Sequence, residues 1–169
     1  NLIIGKFIAS SIYTIVLLLW MAVWALAISI MIFGADDMLI LKSEMVTQIL
    51  ASDVMWRYVA AFGFASLAML TVSALSFFLS LFAENSIGPI MATMSIIIVF
   101  TILNTLDLPI FNTVKPYLFT SHMLGWKGFF DVMVNDNNEQ IVGSIENLHG
   151  VLLSAGILFL HVLGFLFAS

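Results

Sequence analysis

The sequence has no cysteine and very few charged residues. The absence of cysteine excludes disulfides, thiolate metal sites and cysteine nucleophiles. Only five residues are Lys or Arg, and they form no basic patch, which argues against nucleic-acid binding. Charged residues make up 9% of the chain, whereas a soluble domain has about a quarter. A water-soluble surface is therefore not expected.

Apolar residues, by contrast, make up 62% of the 169 residues. They are concentrated in four long segments, and each reaches the length of about 20 residues that a helix needs to cross a bilayer. Lipid offers the backbone no hydrogen bonds, so each segment must be helical. We predict an all-α, polytopic integral membrane protein, with one transmembrane domain over residues 1–169. The predicted helices span about 7–34, 58–83, 87–106 and 149–169.

The connections between these segments differ sharply in length. A tight turn joins the second and third segments, where Asn85 or Ser86 can cap the next helix. The other two connections, about 35–57 and 107–148, are long and more polar, and we predict them to be outer loops. Within the first of them, the pattern from Lys42 to Leu50 predicts a short surface helix.

The second long connection contains aromatic residues at helical spacing. Phe119, Trp126 and Phe130 predict an amphipathic segment that lies at the membrane interface or re-enters the bilayer. Anchoring in the interface is the simpler role for these rings. An outer gate or a partner interface is the functional alternative.

Few polar side chains fall within the predicted spans, so those that do are candidate functional residues. His161 lies about mid-span in the last helix, at a depth where ionisable groups are costly. Ser66, Ser73 and Ser80 recur every seven residues along the second helix and predict a polar stripe. The stripe fits close helix packing, and it also fits one wall of a substrate path.

Three short motifs resemble permease subunits of type 2, export-type ABC transporters. The first opens the first span, the second ends the second span and turns into the third, and the third precedes the last span. Their order and spacing agree with that family along the whole chain. They are Gly5-Lys6-Phe7-Ile8-Ala9, then Ala74-Leu75-Ser76-Phe77-Phe78-Leu79-Ser80-Leu81-Phe82 with Glu84-Asn85-Ser86, and Lys115-Pro116-Tyr117-Leu118-Phe119-Thr120-Ser121-His122-Met123 with Trp126 and Phe129-Phe130.

The resemblance implies a membrane-spanning permease that performs no bond chemistry itself. It implies the C-terminal four of six helices, a second permease copy or homologue as partner, and a bacterial cell (inner) membrane as the location. ATP and Mg would be bound by a separate ABC ATPase subunit, since this chain has no G-x-x-x-x-G-K-[ST] motif. No cofactor is expected on the chain itself.

The distribution of positive charge does not agree with the orientation that the resemblance implies. That orientation places Lys6 inside and the other four cations, Lys42, Arg57, Lys115 and Lys127, outside, against the positive-inside rule. Two other functions remain open. The chain could be a structural subunit of a larger membrane complex, or a redox anchor that holds haem or quinone through His149 and His161. These two histidines are about 18 Å apart along one helix and cannot share one metal.

Overall fold

The computed structural model describes residues 2–42, 45–85, 87–106, 109–135 and 139–169, and within these the chain is mainly helical, at 75%. Four of the described helices are long and apolar enough to cross a membrane. They are α1 (Leu2–Phe33), α2 (Ala51–Ser80), α3 (Ile87–Thr105) and α6 (Leu148–Phe167). The predicted all-α membrane fold is confirmed. Ser86, and residues 107, 108 and 136–138 of the predicted outer loop, lie outside the described residues.

The predicted surface helix from Lys42 to Leu50 is wrong. The chain instead forms an antiparallel pair of strands, β1 (Met38–Lys42) and β2 (Met45–Ile49), in which Ile40 faces Thr47. Thr47 and Ile49 are buried, whereas Val46 and Gln48, which alternate with them, are exposed. This alternation has the period of two residues that belongs to a strand.

Helix α2 begins at Ala51, seven residues before the predicted start at 58. The N-cap residue, Leu50, provides no side-chain hydrogen bond. Residues outside the helix instead accept hydrogen bonds from the N–H groups at its start. Asp37 Oδ1 accepts a hydrogen bond from Ala51 N at 2.7 Å, and Gln140 Oε1 accepts one from Leu50 N at 2.9 Å. Because these capping residues are distant in sequence, the residues next to Ala51 carry no local signal of a helix start, and the predicted start was too late.

Helix α2 is the central helix of the bundle and contacts α1, α3 and α6. Helices α2 and α6 run in the same direction, since Phe78 stacks on Phe165 and the hydroxyl of Thr71 reaches Leu158 O at 3.5 Å. The core between them is apolar and includes Phe64, Leu75 and Leu158. In contrast, α1 packs mainly against α2, and most of its described side chains are exposed.

The aromatic stretch before the last span packs into the helix bundle. It follows the one-turn helix α4 (Pro109–Asn112). We call Phe119–Phe130 the re-entrant segment, after its predicted path; it consists of the short helix α5 (Phe119–His122) and a 3₁₀ helix (Met123–Phe130). The ring of Phe119 is 5.9 Å from His161 and 6.3 Å from Phe165, both in the last two turns of α6. The segment thus packs in the bundle between α3 and α6. Its position relative to the bilayer stays a prediction.

Two glycines allow the re-entrant segment to lie against the long helices. A Cβ atom on Gly125 would lie 2.5 Å from Cζ of Phe64, and one on Gly128 would lie 2.5 Å from Cγ2 of Val151. Distances this short are not tolerated between packed atoms. Glycine at both positions therefore lets the segment lie this close to α2 and α6 without displacing Phe64 or Val151.

Candidate functional site

A cleft lined with hydroxyl groups lies between α1, α2 and α3. Its volume is about 480 Å³, and six of its lining side chains are Ser or Thr. The lining joins residues from three spans, which places the cleft within the membrane-spanning part of the bundle. The six hydroxyl residues are Ser10, Thr14, Ser73, Ser76, Ser80 and Thr93.

Most of these hydroxyls already have a hydrogen-bond partner. Ser10 and Ser73 are bonded to each other at 3.0 Å across the α1–α2 interface. Ser80 donates to Phe77 O at 2.6 Å and Thr93 donates to Pro89 O at 2.7 Å, each within its own helix. The hydroxyls are therefore stable in an apolar surrounding, and their oxygens can still accept hydrogen bonds from a solute.

The structure brings two of the three predicted serines into this cleft. Ser73 and Ser80 line it, and Ser76 joins them from the next turn of α2. Ser66 is not among the lining residues; its hydroxyl donates to Phe62 O at 2.9 Å. The seven-residue period kept all three on one face of α2, but α3 reaches only the last part of that face.

His161 packs within the aromatic core at the end of the re-entrant segment. Its Nδ1 lies 2.8 Å from Ile157 O and must donate there, because a carbonyl oxygen only accepts. Its ring is flanked by Phe119 and Phe165. His161 is thus far from the hydroxyl cleft and forms no part of its lining. Its bond is to its own helix rather than to a neighbouring one.

The three predicted gate residues occupy different surroundings. Phe119 is buried among Phe100, His161 and Phe165. Trp126 and Phe130 are only half-buried and contact each other edge to face, with ring centroids 6.4 Å apart. Phe119 therefore serves as a core residue, whereas Trp126 and Phe130 line a cavity beside α1.

A buried ion pair holds the re-entrant segment to α2. Both of its residues lie in a stretch that we predicted to be an outer loop. Asp53 and Arg57 are 2% and 0% exposed, and their closest charged atoms are 2.7 Å apart. Arg57 also donates to Phe129 O at 2.5 Å and to Ser144 O at 2.6 Å. One guanidinium group thereby joins the start of α2, the re-entrant segment and the loop before α6.

The carboxylate of Asp53 accepts several further hydrogen bonds. The donors are Trp56 Nε1, Gln140 Nε2 and the backbone N–H of Gly143. We call the described residues 35–42, 45–50, 131–135 and 139–147 the cap; the two cap donors, Gln140 and Gly143, tie it to α2. The local signal for this network was an Asp and an Arg four residues apart, which lie on one face of a helix.

His122 connects the re-entrant segment to α6. Its Nε2 lies 2.8 Å from Pro116 O and must donate there, while Nδ1 lies 3.0 Å from the hydroxyl of Ser154. In the neutral ring Nδ1 then accepts the Ser154 proton. Within the described part of the chain, no three His, Asp or Glu side chains come together as a metal site would require.

Comparison with known proteins identifies no relative of this chain. No protein-family model matches the chain, and no curated protein and no solved structure matches it either. The chain is a membrane-embedded bundle of apolar helices with a hydroxyl-lined cleft between three of its spans and a re-entrant segment clamped to α2 by a buried ion pair.

Proposed function

We propose that this chain is the membrane-spanning permease subunit of an ATP-driven, type 2 ABC exporter. The observation that carries the proposal is the hydroxyl cleft between α1, α2 and α3. Small hydroxyl residues usually allow close packing of membrane helices. Here six of them also line a cleft of about 480 Å³, so close packing is not their only structural consequence. A polar-lined space among apolar spans suits the passage of a solute that carries hydrogen-bonding groups.

The order of the elements supports the same proposal. The tight turn between α2 and α3, capped by Asn85 Oδ1 at 2.9 Å from Gly88 N, matches the short polar turn of the resembling permeases. The re-entrant segment follows α3 and precedes the last span, where the Lys115–Met123 motif led us to expect it. The exposed flank of α1 is available to a second permease copy or to lipid.

In this proposal the chain contributes a path and its partner contributes the energy. ATP and Mg would be bound by a separate ATPase subunit, and their binding and hydrolysis would change the relative stability of two arrangements of the helices. Each arrangement opens the path to one side of the membrane, so nucleotide acts through a population shift. The proposed location is a bacterial cell membrane.

The buried ion pair also reduces the conflict over orientation. Arg57 is fully buried against Asp53, so its charge is compensated within the fold. Lys42, Lys115 and Lys127 remain as cations on the side that the resemblance places outside, against Lys6 inside. The proposed orientation keeps both ends of the chain and Glu84 in the cytoplasm.

A structural subunit of a larger membrane complex is the second candidate. The observation that favours it is the Asp53–Arg57 network, which fixes the cap rigidly to α2 as a scaffold requires. A redox anchor is less well supported, because His161 uses Nδ1 within its own helix and His149 is exposed at the far end of α6.

The decisive experiment is purification of the full-length protein from its native membrane in mild detergent, with identification of its partners by mass spectrometry. We expect a stoichiometric partner that carries a nucleotide-binding motif, and ATPase activity that depends on this chain. Redox partners together with a haem absorption band, and no ATPase, would refute the proposal.

A matched pair of variants then tests the cleft itself. Ser76 lines the cleft, whereas Ser95 on α3 is exposed and lies outside it. Ser76→Phe should fill the space and lower the chain-dependent ATPase activity of the reconstituted complex. Ser95→Phe should leave that activity at the parent level. Equal activities in complexes of equal stability would show that the cleft is not the path.

A further inference from the structure

The part of α1 nearest the cap borders a chamber that the proposed function does not use. Two neighbouring cavities of about 620 and 740 Å³ meet there between α1, β1 and α2. The re-entrant segment closes the larger cavity through Trp126 and Phe130. We call the two cavities together the lateral chamber. The six residues that line both are Leu26, Ser29, Met38, Leu39, Val54 and Tyr58.

The walls of the lateral chamber are mainly apolar. Two of the shared wall residues, Ser29 and Tyr58, have a hydroxyl group, and that of Tyr58 donates to Ala22 O at 3.0 Å. Leu39 is 67% exposed and Leu41 is 85% exposed, although both belong to the walls. Such a surface is unfavourable in contact with water.

The chamber continues into the lipid-facing surface of α1. Met31 is 86% exposed and Phe33 is 77% exposed on the last turns of this helix. Helix α1 has 32 residues and is about 48 Å long, which exceeds the bilayer's hydrocarbon core of about 30 Å. Its apolar end therefore adjoins the region where acyl chains meet head groups, and acyl chains are the apolar material available there.

The edge of the chamber carries charges of both signs. Lys127 and Asp131 line the larger cavity, and Asp36 and Asp37 line the smaller one. All four side chains are exposed, and no ion pair joins them within the described residues. An ammonium group suits a phosphate, and carboxylates suit a protonated amine. This combination matches a phospholipid whose head group carries both charges.

We propose that the lateral chamber binds one membrane phospholipid with a zwitterionic, amine-bearing head group, of the phosphatidylethanolamine type. The acyl chain lies between α1, β1 and the re-entrant segment. Lys127 binds the phosphate, and Asp131, which lines the same cavity, binds the amine. This inference does not depend on transport: a lipid can occupy the chamber whether the chain is a permease or a structural subunit.

Photo-cross-linking tests the proposal directly. The full-length protein is placed in vesicles of phosphatidylethanolamine and phosphatidylglycerol, with a trace of phosphatidylethanolamine that carries a diazirine on one acyl chain. After illumination, labelled residues are mapped by mass spectrometry. We expect labelling of Leu26, Val54 and Tyr58 above the level on exposed residues of α3 and α6. Uniform labelling of all lipid-facing residues would overturn the proposal.

Two neighbouring residues of α1 provide a matched pair for this experiment. Ser29 lines both cavities, whereas Ile28 is 51% exposed and lines neither. Ser29→Phe should lower labelling of the chamber about tenfold, since the ring takes the space of several methylene groups of the acyl chain. Ile28→Phe should have no such effect. Equal labelling of the two variants, or cross-links between two copies of the chain at these residues, would contradict a lipid occupant.

The head-group contacts are tested by a second probe with phosphatidylglycerol in place of phosphatidylethanolamine. Lys127→Gln should reduce labelling by both probes, because both contain the phosphate. Asp131→Asn should reduce labelling by the ethanolamine probe alone. If neither substitution changes labelling by either probe, the head-group assignment fails and the proposal fails with it. Gel filtration and thermal unfolding of each variant verify that the fold is intact.

Discussion

Replacement of Arg57 by methionine tests what holds the cap to the bundle. The guanidinium is fully buried and donates to Asp53, Phe129 O and Ser144 O. Methionine is similar in length but donates no hydrogen bonds. The variant therefore leaves a buried carboxylate without its counter-charge and two carbonyl groups without their donors, while the change in packed volume is small.

The magnitude follows from these losses. Removal of one partner of a buried ion pair costs about 3–5 kcal/mol. Each buried acceptor left without a donor costs about 1–3 kcal/mol, although such terms do not simply add. We expect Arg57→Met to lower the free energy of unfolding by about 4–5 kcal/mol. For a chain of this size that corresponds to a fall in melting temperature of roughly 10–15 °C.

Substitutions at Asp53 distinguish the ion pair from the backbone contacts. Asp53→Asn leaves Arg57 able to donate to both carbonyl groups, so we expect it to cost about 1–2 kcal/mol less than Arg57→Met. The double variant Asp53→Leu with Arg57→Met removes both charges and should be more stable than the sum of the two single changes predicts. We expect a coupling energy of about 1–3 kcal/mol from this cycle.

The assay is thermal unfolding of the full-length protein in detergent, followed by loss of the monodisperse gel-filtration peak. Lys6→Met is the matched control, because Lys6 is exposed and the same charge is removed. It should change the free energy of unfolding by no more than about 0.5 kcal/mol. If Arg57→Met is no less stable than Lys6→Met, the network does not hold the cap and the reasoning is refuted.

Two further predictions use the same assay. Gly125→Ala should destabilise the protein by about 1–3 kcal/mol, because the new methyl group meets the ring of Phe64, whereas Gly156→Ala, with open space at its Cβ position, should be neutral or stabilising. A destabilised Gly156→Ala and an unchanged Gly125→Ala would place the re-entrant segment elsewhere. Ile49→Ala should cost about 2–5 kcal/mol, since Ile49 is fully buried, and Val46→Ala on the exposed face of β2 should cost little. Equal effects of these two changes would contradict the strand and support the helix that the sequence had suggested.

The hairpin of β1 and β2 shows why local pattern was insufficient at the cap. Residues 38–49 form a short stretch of mixed polarity, and taken alone this stretch is compatible with more than one secondary structure. The alternation of buried and exposed residues in β2 favours a strand only because Thr47 and Ile49 are buried against the rest of the protein. Packing against the bundle selected the strand over the helix.

The candidate site shows a similar division. The serine stripe on α2 follows from the sequence, since a seven-residue period keeps Ser66, Ser73 and Ser80 on one helical face. Which of them meet a cleft depends on where α1 and α3 lie, and only Ser73 and Ser80 do so. Periodicity gives the direction of a side chain, but it does not give the neighbour that it meets.

Composition and hydropathy alone determined that this chain lies in a membrane as a set of long helices, because lipid leaves an apolar segment no other way to satisfy its backbone. The tertiary structure decided that charged residues assigned to a loop belong to α2. Asp53 and Arg57 compensate each other's charge, and the cap supplies further hydrogen bonds from 87 and 90 residues away in sequence. A buried charge is tolerated only when its partners are in place, and chain folding alone brings such distant partners together.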